Sequence, residues 1–139
     1  MYKVIGKTNT RAMRVLWAMH EIGLEFNHIK AAAQSVEAQK ANISGKVPSL
    51  ILNDITITDS TAIITYLADK YEQLTYPAGT IERAQQDSFT QFILDELDSI
   101  LWSAARHSFV LPKELRVSEL KDTLQWEFAK SLKILESRM

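Results

Sequence analysis

Two places in the sequence combine a polar side chain with the predicted start of a helix. Asn9 and Thr10 stand just before one helical pattern, and Asp59 and Ser60 stand just before another. The first turn of a helix has amide groups without partners and carries the positive end of the helix dipole, so it can hold an anion. The same residue types are also ordinary helix caps. Both segments are therefore candidates for capping a helix or for binding a negatively charged group.

Other reactive side chains are scarce. The chain has no cysteine, which excludes disulfides, thiolate metal sites and thiol redox chemistry by the protein itself. The three histidines, His20, His28 and His107, are scattered along the sequence. We interpret them as surface or half-buried residues and expect no metal site.

The N-terminal segment alternates strand and helix patterns. Tyr2–Ile5 is a β-prone run, and Gly6 ends it. Apolar residues at helical spacing predict a helix over residues 11–21, with Thr10 as its N-cap and Gly23 as its stop. Phe26–Ile29 is predicted to be a second strand, and residues 34–41 a short exposed helix.

A hairpin and a third helix follow. Ser49–Leu52 and Ile55–Thr58 are β-rich runs joined by Asn53 and Asp54, a hairpin pattern. The next helix begins after Asp59 and Ser60. The order β-α-β-α-β-β-α implies a right-handed parallel crossover followed by an antiparallel pair. We therefore predict a mixed sheet with helices on both faces.

The rest of the chain is helical. Residues 72–80, with Pro77 and Gly79, are predicted to connect a first domain over 1–71 to a helical part over 81–139. One long helix is predicted up to an interruption at Leu111–Pro112, and a second helix after it, forming an antiparallel pair. The second helix has no Gly or Pro stop. We expect the pair to need another surface for its core, or the chain to be a fragment.

Charge and hydropathy narrow the class of protein. Sixteen Lys and Arg face 17 Asp and Glu, for a net charge of −1, and no basic stripe indicates a nucleic-acid partner. No apolar run approaches the roughly 18 residues that a membrane span needs, and the first residues do not resemble a signal peptide. We expect a cytoplasmic protein that binds neither nucleic acid nor membrane.

Three motifs in order resemble the glutathione transferase family. They are the run from Arg14 to Leu24 (RVLWAMHEIGL), the run from Gly45 to Leu50 (GKVPSL), and the run from Asp59 to Leu67 (DSTAIITYL). The resemblance implies a thioredoxin-like N-terminal domain that binds glutathione, followed by an incomplete all-α domain. It implies an enzyme that conjugates glutathione to small electrophiles or uses it to reduce peroxides, without a metal, as a homodimer.

Such an enzyme must favour the thiolate of glutathione, because the thiol itself is a poor nucleophile. A free thiol titrates near pH 8.5, and lowering that pKa by about two requires roughly 2.7 kcal/mol. The resemblance places Thr10 where some members carry the activating serine, and Asn9 beside it, where bacterial-type members use Asn or Thr. Tyr2 is the competitor, but we expect it to precede the first strand and to lie too early. Arg11 is interpreted as a solvated charge of the first turn.

The resemblance also assigns the groups that bind glutathione. It implies a cis Val47–Pro48 bond whose Val47 amide and carbonyl pair with the cysteinyl part of glutathione. Ser60 would bind the γ-glutamyl carboxylate, Asp59 would attract the ammonium group, and Lys46 would pair with the glycyl carboxylate.

Two further hypotheses compete with the enzyme. A non-catalytic binding or assembly module of the same fold is favoured by the absence of a Ser, Cys or well-placed Tyr at the sulfur position. A thioredoxin- or glutaredoxin-type oxidoreductase would need a cysteine, and the chain has none. Trp17, Trp102 and Trp126 are interpreted as core or interface residues. Asp95, Glu96 and Asp98 are interpreted as a solvated acidic face.

Overall fold

Four strands and three helices make up the first of two units into which the chain divides. The computed structural model describes residues 1–139, grouped as Met1–Arg83 and Ala84–Met139. The elements of the first unit are β1 (Tyr2–Ile5), α1 (Ala12–Ile22), β2 (Phe26–Ile29), α2 (Val36–Ala41), β3 (Ser49–Leu52), β4 (Ile55–Thr58) and α3 (Ser60–Tyr71). The predicted β-α-β-α-β-β-α order and the thioredoxin-like fold are confirmed.

The sheet has the strand order β2-β1-β3-β4. β1 pairs parallel with β2 and antiparallel with β3, and β3 pairs antiparallel with β4. Ile5 lies opposite Ile29 on one side and Ser49 on the other, and Ser49 lies opposite Thr58. These four residues define one end of the sheet, which we call the loop end. The loops after β1 and β4 and the loop before β3 all emerge there.

The hydrophobic core holds α1 and α3 against the sheet and so sets their position relative to its loop end. Helices α1 and α3 contact each other, and their apolar faces share one cluster with the sheet. Burying each large aliphatic side chain in such a cluster contributes about 1.5–3 kcal/mol. Helix α2 contacts β1 and β3, the strands whose alternation turns Ile5 and Ser49 away from that cluster. The residues of the cluster are Tyr2, Val4, Val15, Leu16, Met19, Ile22, Leu50, Ile63 and Leu67.

Local signals set the helix ends. α1 ends at Gly23, which has a φ of +77° and donates its amide to the His20 carbonyl at 3.0 Å. The N-cap of α1 is Arg11 and not the predicted Thr10, although the Thr10 hydroxyl still accepts from the Ala12 amide at 3.2 Å. The helix begins one residue later than predicted. α2 begins where the Ser35 hydroxyl accepts from the Ala38 amide at 3.3 Å.

The helical part is less regular than predicted. Instead of one continuous α-helix before Leu111, the chain changes twice to π-helical hydrogen bonding, in which each amide reaches back five residues. The predicted interruption at Leu111–Pro112 is confirmed. The order is α4 (Ile81–Ile93), a π segment (Leu94–Asp98), α5 (Ser99–Ala105), a second π segment (Arg106–Val110), a 3-10 turn (Lys113–Leu115) and α6 (Leu120–Arg138). No helix is both long and apolar enough to cross a membrane.

Helix α6 runs antiparallel to the helices before it, as predicted. The Ser131 hydroxyl donates to the Glu96 carboxylate at 3.1 Å, while Arg138 lies 4.1 Å over the Phe89 ring. Later residues of α6 therefore meet earlier residues of the preceding helices. Only Leu97 and Ser131 of this unit are buried, so its other apolar side chains are half-buried or exposed.

Of the three tryptophans interpreted as core or interface residues, Trp17 and Trp126 lie outside the core, and only the interface alternative remains for them. Trp17 is 65% exposed and Trp126 is 64% exposed. Polar and charged neighbours on the same helix accompany each ring at the surface. Trp17 donates its indole N–H to Glu21 at 2.8 Å, and Lys130 lies 5.5 Å from the Trp126 ring.

Candidate functional site

All the predicted site residues lie at the loop end of the sheet. Asn9 and Thr10 follow β1, Lys46–Pro48 precede β3, and Asp59 and Ser60 follow β4. Because these strand ends are in register, three segments distant in sequence emerge side by side. In open α/β sheets, the crevice outside the carboxyl ends of the strands is where ligands bind.

Gly6 lies where two of these segments meet. It has a φ of +145°, and a Cβ atom built on it would lie 2.6 Å from the Ala12 Cβ and 3.2 Å from the Val47 Cβ. The start of α1 and the segment before β3 therefore approach each other across a residue that has no side chain. Sequence reasoning treated Gly6 only as the end of β1.

The Thr10 hydroxyl is engaged within its own loop. It donates to the Lys7 carbonyl at 2.7 Å and accepts from the Ala12 amide at 3.2 Å. To donate to a ligand, the hydroxyl has to rotate away from Lys7. Asn9, next to it, is exposed.

The segment before β3 has a fixed shape and two free main-chain groups. Asn42 donates to the Lys46 carbonyl at 3.2 Å and accepts from the Ser44 amide at 3.1 Å. Val47–Pro48 is cis, as the resemblance implied. The Val47 amide and carbonyl make no hydrogen bond within the chain, and Val47 is only half-buried. Lys46 is exposed, so its ammonium group is open to a ligand or to solvent.

At the start of α3, two backbone amides are capped by the Asp59 side chain, whereas the Ser60 amide and hydroxyl are free. The Asp59 carboxylate accepts from the Thr61 amide at 2.9 Å and from the Ala62 amide at 3.2 Å. Ser60 is only 2% exposed, and neither its amide nor its hydroxyl has a partner in the chain. Ser49 Oγ is the one fully enclosed side-chain oxygen without a partner, so the Ser60 hydroxyl still reaches solvent and is open to a ligand or a water molecule.

Tyr2 is not at this site, and the expectation that it precedes β1 was wrong. It is the first residue of β1, opposite Phe26 and Leu52, and thus about 10 Å of strand away from the loop end. Its hydroxyl accepts from Lys70 at 2.9 Å and lies 3.1 Å from the Tyr71 hydroxyl. Burial is the main cause that raises the pKa of Tyr2 to about 12, so the phenol stays neutral.

The helical unit has an open cleft beside its first π segment. Two carboxylates, those of Asp95 and Glu96, line this cleft, and both residues are exposed. The Glu96 carboxylate accepts a hydrogen bond from the Ser131 hydroxyl at 3.1 Å. No group of three or more His, Asp or Glu side chains is arranged to hold a metal ion anywhere in the chain. The cleft has a volume of about 460 Å³ and is lined by Gln91, Phe92, Leu94, Asp95 and Glu96.

Residues 10–75 match the family described as the glutathione S-transferase N-terminal domain. The matched segment includes Thr10, the cis Val47–Pro48 bond and the start of α3. The match is thus to an N-terminal domain, and it covers just under half of the chain. The transferase-like order of strands and helices described above is the architecture expected of that domain.

The similar proteins that follow are named glutathione transferases. The chain is 30% identical over 117 residues to glutathione S-transferase 1 of Schizosaccharomyces pombe, covering 77% of this chain and 51% of that protein. It is 35% identical over 89 residues to glutathione S-transferase Z2 of Arabidopsis thaliana, covering 60% of this chain and 40% of that protein. The glutathione transferase URE2P6 of Phanerochaete chrysosporium, solved with oxidized glutathione, superposes with a TM-score of 0.83 at 26% identity, over 98% of this chain and 66% of that one. The chain thus spans about half the length of the curated relatives it matches.

Proposed function

We propose that the N-terminal unit binds glutathione at the loop end of the sheet. The observation that carries this proposal is the pair of unsatisfied polar positions there, the main-chain groups of Val47 and the amide and hydroxyl of Ser60. The Ser60 groups lie at the N-terminal end of α3, where an anion can be held, and the Val47 groups lie just before β3.

Each part of glutathione has a matching group. The Ser60 amide and hydroxyl, at the positive end of α3, suit the γ-glutamyl carboxylate. The Val47 amide and carbonyl suit the cysteinyl main chain, in the manner of an added strand. Lys46 is exposed and suits the glycyl carboxylate. Asp59 still has unshared carboxylate lone pairs beyond its two amide partners, and they suit the ammonium group.

The thiol then lies near the start of α1, where Thr10 or Asn9 would stabilise the thiolate. The positive end of α1 favours the anion, and one hydroxyl or amide donor adds to it. For Thr10 this requires its hydroxyl proton to turn from the Lys7 carbonyl to the sulfur. The cost is one internal hydrogen bond, which a charge-assisted bond to a thiolate offsets.

The proposed reaction is the conjugation of glutathione to small electrophiles, with reduction of peroxides by glutathione as the second form of the same chemistry. The named relatives are glutathione transferases, which supports this class of reaction. We also propose a homodimeric, cytoplasmic protein whose glutathione domain covers residues 1–71, with a connector at 72–80 and a helical domain from 81. The many exposed apolar side chains of the helical unit support association with another surface.

A non-catalytic binding module is the second candidate. It is favoured by one observation, the donation of the Thr10 hydroxyl to Lys7 rather than toward open space. In that case Val47 and Ser60 hold glutathione, and no group at α1 lowers the thiol pKa.

Calorimetric titration with glutathione tests the binding site. Ser60→Ala is expected to weaken binding about 10- to 100-fold, the effect of losing a hydrogen bond to a charged group. Thr65→Ala is the matched control, because it removes an exposed hydroxyl from the same helix. If the unaltered protein does not bind glutathione, both candidate functions fail.

Turnover separates the two candidates. Glutathione and a chromogenic aryl halide are incubated with the protein and with Thr10→Ala. Turnover that falls in Thr10→Ala supports the transferase, while binding without turnover supports the module. Sedimentation velocity of the same preparation measures the proposed dimer.

A further inference from the structure

His28 holds the loop that leads into the proposed thiol site. Its Nε2 atom lies 2.7 Å from the Gly6 carbonyl oxygen. A carbonyl oxygen only accepts hydrogen bonds, so Nε2 must carry the proton, which fixes the tautomer of the neutral ring. The bond joins β2 to the first residue after β1, across 22 positions of sequence.

Gly6 is held by β2 through both of its main-chain groups. Its amide donates to the Ile29 carbonyl at 2.9 Å, and its carbonyl accepts from His28. The loop therefore leaves β1 in one orientation, although Gly6 has a φ of +145°, and glycine has a wide choice of backbone angles. Without the His28 bond, only the Ile29 bond would fix the orientation of this residue.

Lys7, the residue after Gly6, connects this backbone orientation to Thr10 through two hydrogen bonds. The Lys7 carbonyl, one residue beyond Gly6, accepts from the Thr10 hydroxyl at 2.7 Å and from the Thr10 amide at 3.1 Å. Rotation of the Gly6–Lys7 peptide would therefore move the acceptor that holds the Thr10 amide, and with it the position of the Thr10 side-chain oxygen. The proposed sulfur ligand is linked to His28 by two short steps.

We infer that His28 is a positioning residue for the thiol-binding start of α1. It acts through the Gly6 carbonyl and the Lys7 peptide, and it fixes the positions of the Thr10 side-chain oxygen and of the first amides of α1. This inference rests on the proposed function, because it concerns the thiol of bound glutathione. It predicts that loss of the His28 donor changes the chemistry at sulfur more than the affinity for glutathione.

The test compares His28→Gln with His28→Met, two unbranched side chains of similar size. The Gln amide can donate to the Gly6 carbonyl and the Met thioether cannot. Asn27→Ala, an exposed position of the same strand, is the control. Each protein is measured for glutathione affinity, for the pKa of the bound thiol from ultraviolet thiolate absorbance, and for kcat and KM with an aryl halide.

In His28→Met we expect the bound thiol to titrate closer to free glutathione and kcat to fall roughly fivefold, the factor for one hydrogen bond of ordinary strength. KM and the affinity for glutathione should change little, because Val47 and Ser60 are untouched. His28→Gln should restore the thiol pKa and kcat. Hydrogen exchange at the Thr10 amide, measured without glutathione, should quicken roughly fivefold in His28→Met only.

The outcomes separate this inference from the proposed function. If the unaltered protein binds glutathione but the Gln and Met variants match each other in thiol pKa and in exchange at Thr10, the role of His28 is refuted and the binding site stands. If the unaltered protein does not bind glutathione, the proposed function is refuted, and the role of His28 at a thiol falls with it.

Discussion

Replacing Gly6 by alanine should harm this protein more than replacing any glycine in open space. Gly6 has a φ of +145°, and its added Cβ would lie 2.6 Å from the Ala12 Cβ and 3.2 Å from the Val47 Cβ. Separations below 3.0 Å between such atoms essentially never occur, so Gly6 and the start of α1 must move apart, while Val47 must give by a few tenths of an ångström. Both neighbours belong to the proposed glutathione site.

The size of the effect follows from two separate costs. The unfavourable backbone angle costs alanine about 1–2 kcal/mol. Overpacking against Ala12 and Val47 adds about 1–3 kcal/mol. We therefore expect Gly6→Ala to lower the free energy of unfolding by about 2–5 kcal/mol. That is a large share of the roughly 5–15 kcal/mol that stabilises an ordinary domain.

Gly23 provides the matched control. It also has a positive φ, +77°, but a Cβ added there would meet no atom within 4 Å. Gly23→Ala should cost only the backbone part, about 1–2 kcal/mol. Urea unfolding of both variants gives the comparison, provided that the denaturant slope m stays unchanged. A Gly6→Ala protein as stable as Gly23→Ala would refute the packing argument, and unchanged glutathione affinity would refute its link to the site.

Two further predictions concern buried polar groups. The Ser49 hydroxyl is fully buried without a partner, so Ser49→Ala should raise the free energy of unfolding by about 1 kcal/mol. Ser131→Ala removes a hydrogen-bonded hydroxyl and should lower that free energy. If thermal unfolding shows the melting temperatures of both variants shifted in the same direction, this account is contradicted. The pKa of Tyr2 is about 12 in the folded chain and 10.0 in the reference state, so the folded protein holds this proton more tightly and the stability it contributes is lost as pH rises from about 10 to 12. In Tyr2→Phe the melting temperature should therefore decrease less steeply as the pH rises from about 10 to 12. If it decreases as steeply as in the unaltered protein, Tyr2 is not the group responsible.

The sequence predicted the elements of the first unit because their signals are local. Strand ends at Ile5 and Thr58 follow from a glycine and from a capping residue, and the stop at Gly23 follows from its freedom to adopt a positive φ. The common loop end of the strands then follows from topology. By contrast, the cis bond before Pro48 came only from the resemblance, because most X-Pro bonds are trans.

The features that the sequence did not predict have a different origin, because most of them depend on contacts between residues that are distant in sequence. The spacing of apolar residues cannot distinguish α from π hydrogen bonding, so it predicts an ordinary α-helix over Leu94–Asp98. Trp17 lies at the surface, where its indole N–H donates to Glu21 on the same helix, and not in the core. The bond from His28 to Gly6 spans 22 positions, and no local pattern indicates it.

The two outer strands of the sheet have consequences for how copies of this protein meet. β2 and β4 each have one side without a neighbouring strand, which leaves main-chain groups able to template another chain. Each is only four residues long, and charges stand at both ends, Glu25 and Lys30 around β2 and Asp54 and Asp59 around β4. Short, charge-bracketed strands resist extension into a continuous intermolecular sheet. Self-association of this chain should therefore use side chains on its helices and leave both sheet margins open to water.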